Sequence, residues 1–430
     1  MRPRAYLVLL LAGLMSVPAT GTPISQTQQP AGPKPEATLE AAQKALDTKE
    51  YARAVALLEE YLARHPEHLG AQFNVAYGYS LLGRTADAIA AYRKAVALDP
   101  KLFQAYLNLG LLLLQEGAPA EAVKMLAQAI ALRPEHTAAR LAYADALIRS
   151  GNPEEARAQY EAALTREPQN VAAQVGLARL DLETGAWARA ENYLRQALAQ
   201  DSERGELRLL LAEALLGQNQ LEAAARELET YLAAHPDDAA RHDQAARIYR
   251  ELGQHEAALR HVDRALAHQP SSSKLQAARA RTLADLERWQ EAAAVFEQLV
   301  TAEPDNADLY SELGRVRLHL RQYQAAAQAL REAVRLRPDF VEAYNRLALA
   351  FQLSGNCPGT LQVLDQRAAY AAEHAATYFL RAICHDRLRQ HDAAIENYEK
   401  FLTLNDTPDS VQAFQARARL RLLQRQRERR

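Results

Sequence analysis

The sequence predicts an all-α fold in which about eleven helix-turn-helix repeats of about 34 residues stack into a solenoid. The first observation is the spacing of proline. It recurs at one constant interval, which doubles where Ser202 stands in its place, at Pro66, Pro100, Pro134, Pro168, Pro236, Pro270, Pro304 and Pro338. If each proline occupies position 32 of a repeat, eleven ungapped repeats extend from residue 35 to residue 408.

The second observation is that two positions of the repeat carry small side chains almost without exception. Position 8 is Ala or Gly in all eleven repeats, and position 20 is Ala in ten of them, with Thr360 as the exception. Because a larger side chain there would push two packed helices apart, the pattern predicts close backbone contact within each repeat. Glycine near position 15 marks the turn between the two helices, and proline at position 32 ends the second helix.

The residues before the repeats predict export. Residues 1–19 carry Arg2 and Arg4 ahead of the apolar run AYLVLLLAGLMSV, which is typical of a secretory signal peptide cleaved after Ala19. This run is shorter than the ~20 residues of a transmembrane helix. Residues 20–34 are rich in proline and glutamine and predict a flexible leader. We therefore expect a periplasmic or secreted protein with no transmembrane span in the mature chain.

Composition and motifs argue against several classes of function. The formal net charge of −2 gives no indication of nucleic-acid binding. The chain contains no HExxH, CxxC, phosphate-binding loop or nucleophile elbow, and its twelve histidines read as scattered surface residues. Because the two flanks of the array, 1–34 and 409–430, are short for a catalytic domain, we expect a non-enzymatic protein without metal or cofactor.

The repeat resembles the tetratricopeptide repeat family. Repeat three carries the family's residue types at positions 4, 7, 8, 11, 20, 24, 27 and 32, with Tyr106, Leu109, Gly110, Leu113, Ala122, Leu126, Ala129 and Pro134. Repeat nine departs from the pattern at position 11, where it has Arg317. The resemblance covers residues 35–408 and implies a right-handed α-α superhelix. In this family the first helices line a concave groove, and the array mediates protein–protein interactions.

The family's groove positions divide the array into an apolar and a basic part. The apolar part has candidate binding residues in repeats two and three: Phe73, Asn74, Tyr77, Leu107, Asn108 and Leu111. These residues either bind an extended peptide or a partner helix, or fill the seam between helices. The basic part is a ladder of Arg247, Arg281 and Arg315 in repeats seven to nine, with Arg250 nearby. It is either an anion-binding site or a solvated face balanced by nearby acids.

The C-terminal segment 409–430 predicts a basic capping helix that covers the end of the array. Val411, Phe414, Ala418 and Leu422 fall on one helical stripe, which is the expected packing face. The seven arginines of this segment could also contact an acidic partner or lipid head groups.

The two cysteines lie in neighbouring repeats. Cys357 falls in the first turn of a second helix, after Asn356 as the expected N-cap, and Cys384 lies in the first helix of the next repeat. Since the two positions lie at similar heights on adjacent helices, we expect a disulfide between them in an oxidising compartment. The alternative is a free Cys357 thiol that is acidified by the helix N-terminus.

Two functions remain open at this point. The first is a non-enzymatic scaffold or adaptor for a protein or peptide partner in the cell envelope or periplasm. The second is a component of exopolysaccharide or outer-envelope biogenesis that binds an anionic polymer through the arginine ladder.

Overall fold

The computed structural model describes residues 35–407 and 409–428. The predicted signal peptide (1–19) and leader (20–34) lie outside the described residues. Within the described residues the regular structure is entirely helical, with 23 helices that pack consecutively in antiparallel pairs. The predicted all-α solenoid of helix pairs is confirmed. None of these helices is both long enough and apolar enough to cross a membrane.

The described residues form two compact units, which divide between Glu227 and Leu228. The helices of the N-terminal unit are α1 (Pro35–Asp47), α2 (Tyr51–Arg64), α3 (Leu69–Leu81), α4 (Thr85–Leu98), α5 (Phe103–Gln115), α6 (Pro119–Leu132), α7 (Thr137–Arg149), α8 (Pro153–Arg166), α9 (Val171–Glu183), α10 (Trp187–Gln200) and α11 (Gly205–Gly217).

Helix α12 (Leu221–Ala234) contains the boundary between the units. The C-terminal unit continues with α13 (Ala239–Glu251), α14 (His255–His268), α15 (Ser273–Asp285), α16 (Trp289–Ala302), α17 (Ala307–His319), α18 (Tyr323–Leu336), α19 (Val341–Leu353), α20 (Cys357–Arg367), α21 (Ala375–Arg387), α22 (His391–Leu404) and α23 (Val411–Glu428).

The repeat register is the same in all eleven repeats. Each first helix begins at position 1 and all have the same length, and each second helix begins at position 17. Position 15, in the turn between them, has a positive φ of 57–83° in every repeat. Six of these residues are glycine, and the other five adopt the same left-handed conformation at an energetic cost: Lys49, Asn219, Glu287, Arg321 and Arg389.

Close helix packing accounts for the small residues at positions 8 and 20, all of which are buried. A Cβ atom added to Gly110 would lie 2.5 Å from Cγ of Leu126, and one added to Gly314 would lie 2.4 Å from Cγ of Leu330. In each pair the glycine of a first helix receives the leucine of the second helix of the same repeat. The predicted close contact within each repeat is therefore confirmed.

Repeat ten is irregular because Arg367 occupies position 27, where Ala is usual. This side chain is buried, and its Nε donates to Oδ1 of Asn345 at 2.7 Å. Its Nη1 donates to the carbonyl of Ala372 at 3.0 Å. Because the guanidinium binds backbone that follows the helix, α20 ends at Arg367 and is shorter by almost one turn than the second helices of the other repeats.

Candidate functional site

The apolar part of the predicted groove lies largely inside the N-terminal unit. Phe73, Asn74, Asn108 and Leu111 are at most 5% exposed. The ring of Phe73 packs edge-on against Tyr92 with centroids 5.5 Å apart, and Asn108 Nδ2 donates to the hydroxyl of Tyr92 at 3.0 Å. This burial favours the seam-filling alternative for these four residues over an open groove.

The other two apolar candidates are half-buried. Tyr77 packs with Tyr51 against the small cluster around Leu46, and burial raises the pKa of the Tyr77 hydroxyl. Leu107 packs against the core of the N-terminal unit. Both side chains contribute to the interior, so they offer a ligand only part of their surface.

The arginine ladder of the C-terminal unit is largely charge-balanced. Asp243 on α13 lies 3.8 Å from Arg247 and accepts from Nζ of Lys274 on α15 at 2.7 Å. Arg250 on α13 reaches Asp285 on α15 at 2.7 Å. The pairs of Asp243 with Lys274 and of Arg250 with Asp285 join two successive first helices through side chains at the family's groove positions.

The remaining two arginines of the ladder differ from each other. Arg315 on α17 pairs with Glu312 at 2.8 Å, and Glu312 also lies 3.6 Å from Arg346 on α19. Arg281 on α15 is half-buried and has no ion pair among the described residues. The geometry therefore favours the charge-balanced face and leaves Arg281 as the guanidinium available to an anion.

The C-terminal helix α23 has an exposed apolar surface where the sequence predicted a packing face. It packs on α22 through Ala413, Ala416 and Leu423, which are buried. The predicted packing stripe instead points outward, with Val411 72%, Phe414 65% and Leu422 49% exposed. We call these three residues the outer stripe.

Arginines surround the outer stripe and also hold the helix in place. Arg421 and Arg425 are exposed and lie on the same side of α23 as the outer stripe by helical spacing. On a different side, Arg419 forms a bidentate pair with Asp386 on α21. Helix α23 is thus held on one side by the ion pair of Arg419, and its other side is both basic and apolar.

The two cysteines are free thiols in the structure, so the predicted disulfide is not formed there. Both are buried, and they lie next to each other on α20 and α21, as the repeat register predicts. Burial, and then the contact with Cys357, raises the pKa of the Cys384 thiol to about 12. Asn356 is the N-cap of α20, as predicted: its Oδ1 accepts a hydrogen bond from the backbone N–H of Gly359 at 3.0 Å.

Two histidines that the sequence suggested were surface residues are buried. His242 on α13 and His261 on α14 place their Nδ1 atoms 2.9 Å apart. The sequence signal that could have predicted this burial is the place of His242 at position 4 of its repeat, where the family carries a large packing residue. Among the described residues, no group of three or more His, Cys, Asp or Glu side chains is arranged to hold a metal ion.

Comparison with known proteins identifies the repeat. Two models described as tetratricopeptide repeat match overlapping segments, at residues 113–161, 150–195 and 181–245 for one and 244–308, 277–339 and 311–356 for the other. A TPR repeat model matches residues 79–117, and a further tetratricopeptide repeat model matches residues 375–408. Together the matches cover well over half of the chain.

Solved structures of tetratricopeptide proteins are similar to parts of the chain. A tetratricopeptide repeat protein from Parabacteroides merdae is 15% identical over 60% of this chain and 99% of that chain, with a TM-score of 0.44. The C-terminal part of a TPR repeat-containing protein from Cytophaga hutchinsonii is 15% identical over 56% and 98%, with a TM-score of 0.47.

YrrB, a TPR protein with an unusual peptide-binding site, is 22% identical over 45% of this chain and 99% of that chain, with a TM-score of 0.40. No significant sequence match is found among curated proteins. The family models agree with the observed helix register along most of the array. The chain therefore belongs to the tetratricopeptide repeat family.

Proposed function

We propose that the chain is a non-enzymatic adaptor that binds a protein partner in the cell envelope or periplasm. Arrays of tetratricopeptide repeats are scaffolds for protein–protein interaction, and the amino-terminal sequence favours export. The single observation that carries the proposal is the exposed outer stripe of Val411, Phe414 and Leu422.

The outer stripe is more apolar than the outer face that a capping helix needs for solubility. A capping helix stabilises an open-ended array by presenting a polar outer face to water. Here a phenylalanine, a valine and a leucine occupy that face, and burying each against a partner would contribute about 25 cal/mol per Å² of apolar area. A partner that covers the stripe would remove this surface from water.

The charges beside the outer stripe indicate an acidic partner segment. Helix α23 contains five arginines and one glutamate between Val411 and Glu428, and Arg421 and Arg425 lie beside the stripe. An amphipathic helix with apolar and acidic residues would match both the apolar surface and the charge. We therefore propose such a segment as the docking element of the partner.

Site-directed photo-cross-linking in cells tests this function. A photoreactive amino acid at Phe414 in the full-length protein should capture a defined partner, because that side chain lies at the centre of the outer stripe. Changing Arg421→Glu and Arg425→Glu together should reduce the capture, since both charges facing the acidic segment are reversed.

The matched control places the same photoreactive residue at His65, which is exposed on the N-terminal unit. The proposal requires a product at Phe414 that is absent at His65 and reduced by the double arginine change. Equal capture from both sites, or capture that the charge reversal leaves unchanged, would contradict it.

The anionic-polymer function ranks second. The observation that favours it is Arg281, which has no ion pair among the described residues. The neighbouring arginines at 247, 250 and 315 are already paired with carboxylates, which reduces the net charge that an anionic polymer would meet.

Export has a consequence for the two cysteines. We propose that Cys357 and Cys384, whose thiols are already in contact, form a disulfide once the chain reaches an oxidising compartment. Thiol–disulfide exchange with an oxidised partner protein would accept the two electrons and two protons that the thiols release.

A further inference from the structure

Four side chains and one carbonyl form a continuous hydrogen-bonded network inside the C-terminal unit. His242 Nε2 lies 3.1 Å from the carbonyl oxygen of Pro236, and its Nδ1 lies 2.9 Å from Nδ1 of His261. His261 Nε2 lies 2.9 Å from Oε1 of Glu229, which also accepts from the hydroxyl of Tyr249 at 3.0 Å. The network joins α12, α13 and α14.

The two ends of this network determine how many protons it holds. A backbone carbonyl can only accept, so Nε2 of His242 carries a hydrogen. An ionised carboxylate can only accept as well, so Nε2 of His261 carries a hydrogen opposite Glu229. The two Nδ1 atoms then need one further hydrogen between them, because two lone pairs 2.9 Å apart would repel. Two rings that share three hydrogens carry one positive charge.

We propose that the buried His242–His261 pair binds one extra proton, and that this proton locks α12, α13 and α14 together in a pH-sensitive seam. The positive charge is countered by Glu229. This device is independent of the proposed adaptor function, because none of its residues belongs to the outer stripe or to the arginine ladder.

The surrounding charges disfavour a second extra proton on the pair. Burial lowers the pKa of His242, and the positive charges of His261 and Arg264 add to this, which outweighs the opposing hydrogen bond to the carbonyl of Pro236 and the charge of Glu229. Burial alone would raise the pKa of Glu229, but the hydrogen bond and charge of His261 outweigh it, and the pKa is lowered. Burial and the contact with Glu229 raise the pKa of Tyr249 to about 12, so its hydroxyl stays a donor.

The other charged groups near the network are the following. Arg260 and Arg264 lie on α14 itself and face Tyr249 and His242. From α15, Arg279 pairs with Asp263 at 2.7 Å and Lys274 pairs with Asp243 at 2.7 Å, so both cations are engaged elsewhere.

The seam should lose stability in both directions of pH. Above the pKa of the folded pair the extra proton is lost, the two lone pairs face each other, and Glu229 loses its cationic partner. The contribution of this proton to the free energy of unfolding is therefore lost as pH rises. Below about pH 6.5, the ordinary value for histidine, the unfolded chain protonates both rings while the folded pair resists the second proton. Stability is therefore also lost as pH falls.

Backbone hydrogen exchange across pH tests the proposal on the full chain. After correction for the intrinsic rate, peptides from α13 and α14 should lose about tenfold in protection relative to α18 and α19 as pH rises and the shared proton dissociates. Peptides from α18 and α19 contain no histidine and serve as the internal control. If α13 and α14 follow α18 and α19 at every pH, the proposal is overturned.

Two further measurements separate the proton from simple packing. His261→Gln should remove the excess pH dependence of α13 and α14. The matched control His268→Gln changes a more exposed histidine of the same helix and should leave that dependence intact. Persistence of the wild-type profile in His261→Gln would overturn the proposal. If His261→Gln does not fold, ¹⁵N spectra of the wild-type rings decide. Two neutral rings at pH 6.5 refute the shared proton, and one imidazolium hydrogen-bonded to a neutral ring supports it.

Discussion

At the scale of single residues, glycine stands at positions 8 and 15 of the repeat for two different physical reasons. Gly314 at position 8 leaves room for Leu330, because an added Cβ atom would lie 2.4 Å from that side chain. Gly253 at position 15 has a φ of 70° and nothing within 4 Å of an added Cβ atom. The first glycine is required by packing, and the second is favoured by its backbone conformation alone.

This difference predicts the effect of a methyl group at position 15. Gly253→Ala should lower the free energy of unfolding by about 1 kcal/mol, because the left-handed conformation disfavours a Cβ atom and no contact compensates. Urea denaturation of the two proteins measures the difference. The reverse change Arg321→Gly, at the same turn position with a φ of 58°, should not destabilise the protein. A Gly253→Ala protein as stable as the wild type would contradict this explanation.

At the scale of elements, repeat ten shows how one substitution changes a helix. The guanidinium of Arg367 is buried and binds Asn345 and the carbonyl of Ala372, so α20 ends early. Thr360, the one departure from Ala at position 20, satisfies its hydroxyl by donating to the carbonyl of Asn356 at 3.1 Å. The cysteine contact joins this irregular repeat to the first helix of the next one.

The cysteine contact predicts a covalent link between α20 and α21 in the exported protein. Alkylation of the denatured protein without reductant should label neither Cys357 nor Cys384, and both should be labelled after reduction. Reduction should also lower the free energy of unfolding by ~3 kcal/mol, because the unfolded chain is no longer constrained. A Cys357→Ser variant provides the control for the loss of the link. Two labelled thiols before reduction would contradict the proposed disulfide.

At the scale of the whole molecule, each compact unit is held together by contacts between helices that are neighbours in the stack. This is the expected behaviour of a repeat array, in which stability is a sum of repeat and nearest-neighbour contributions. Two units of this kind need not unfold in one transition, so measurements on separate helices are more informative than a single melting temperature.

At the same scale, the proposed export of the protein predicts that the chain is cleaved near its N-terminus. If residues 1–19 are a signal peptide, the protein isolated from the envelope fraction should begin at Thr20, since the small residues Val17 and Ala19 precede the cleavage site. Intact mass and N-terminal sequencing check this. Ala19→Lys should block cleavage and leave the longer form. Recovery of the chain in the cytoplasm with its first residues intact would exclude the proposed location.

The helix register could be predicted from the sequence because its signals are local and repeated. Side-chain size at positions 8 and 20 reports how closely two adjacent helices pack, and glycine or proline reports where each helix ends. Repetition over eleven repeats then removes the ambiguity that one repeat alone would leave. The fold, the turns and the contact between Cys357 and Cys384 all follow from this periodic pattern.

The candidate site could be predicted only in part, because exposure and charge pairing depend on neighbours distant in sequence. Phe73 is buried by Tyr92, and Arg250 is paired with Asp285, which lies on the next first helix of the array. The direction of each side chain on its helix decides these contacts, and composition does not encode it. The sequence by itself determined the repeat, its register and its family. Only the tertiary structure decided which apolar stripe of α23 faces water and which two histidines are buried against each other, since both depend on packing between helices.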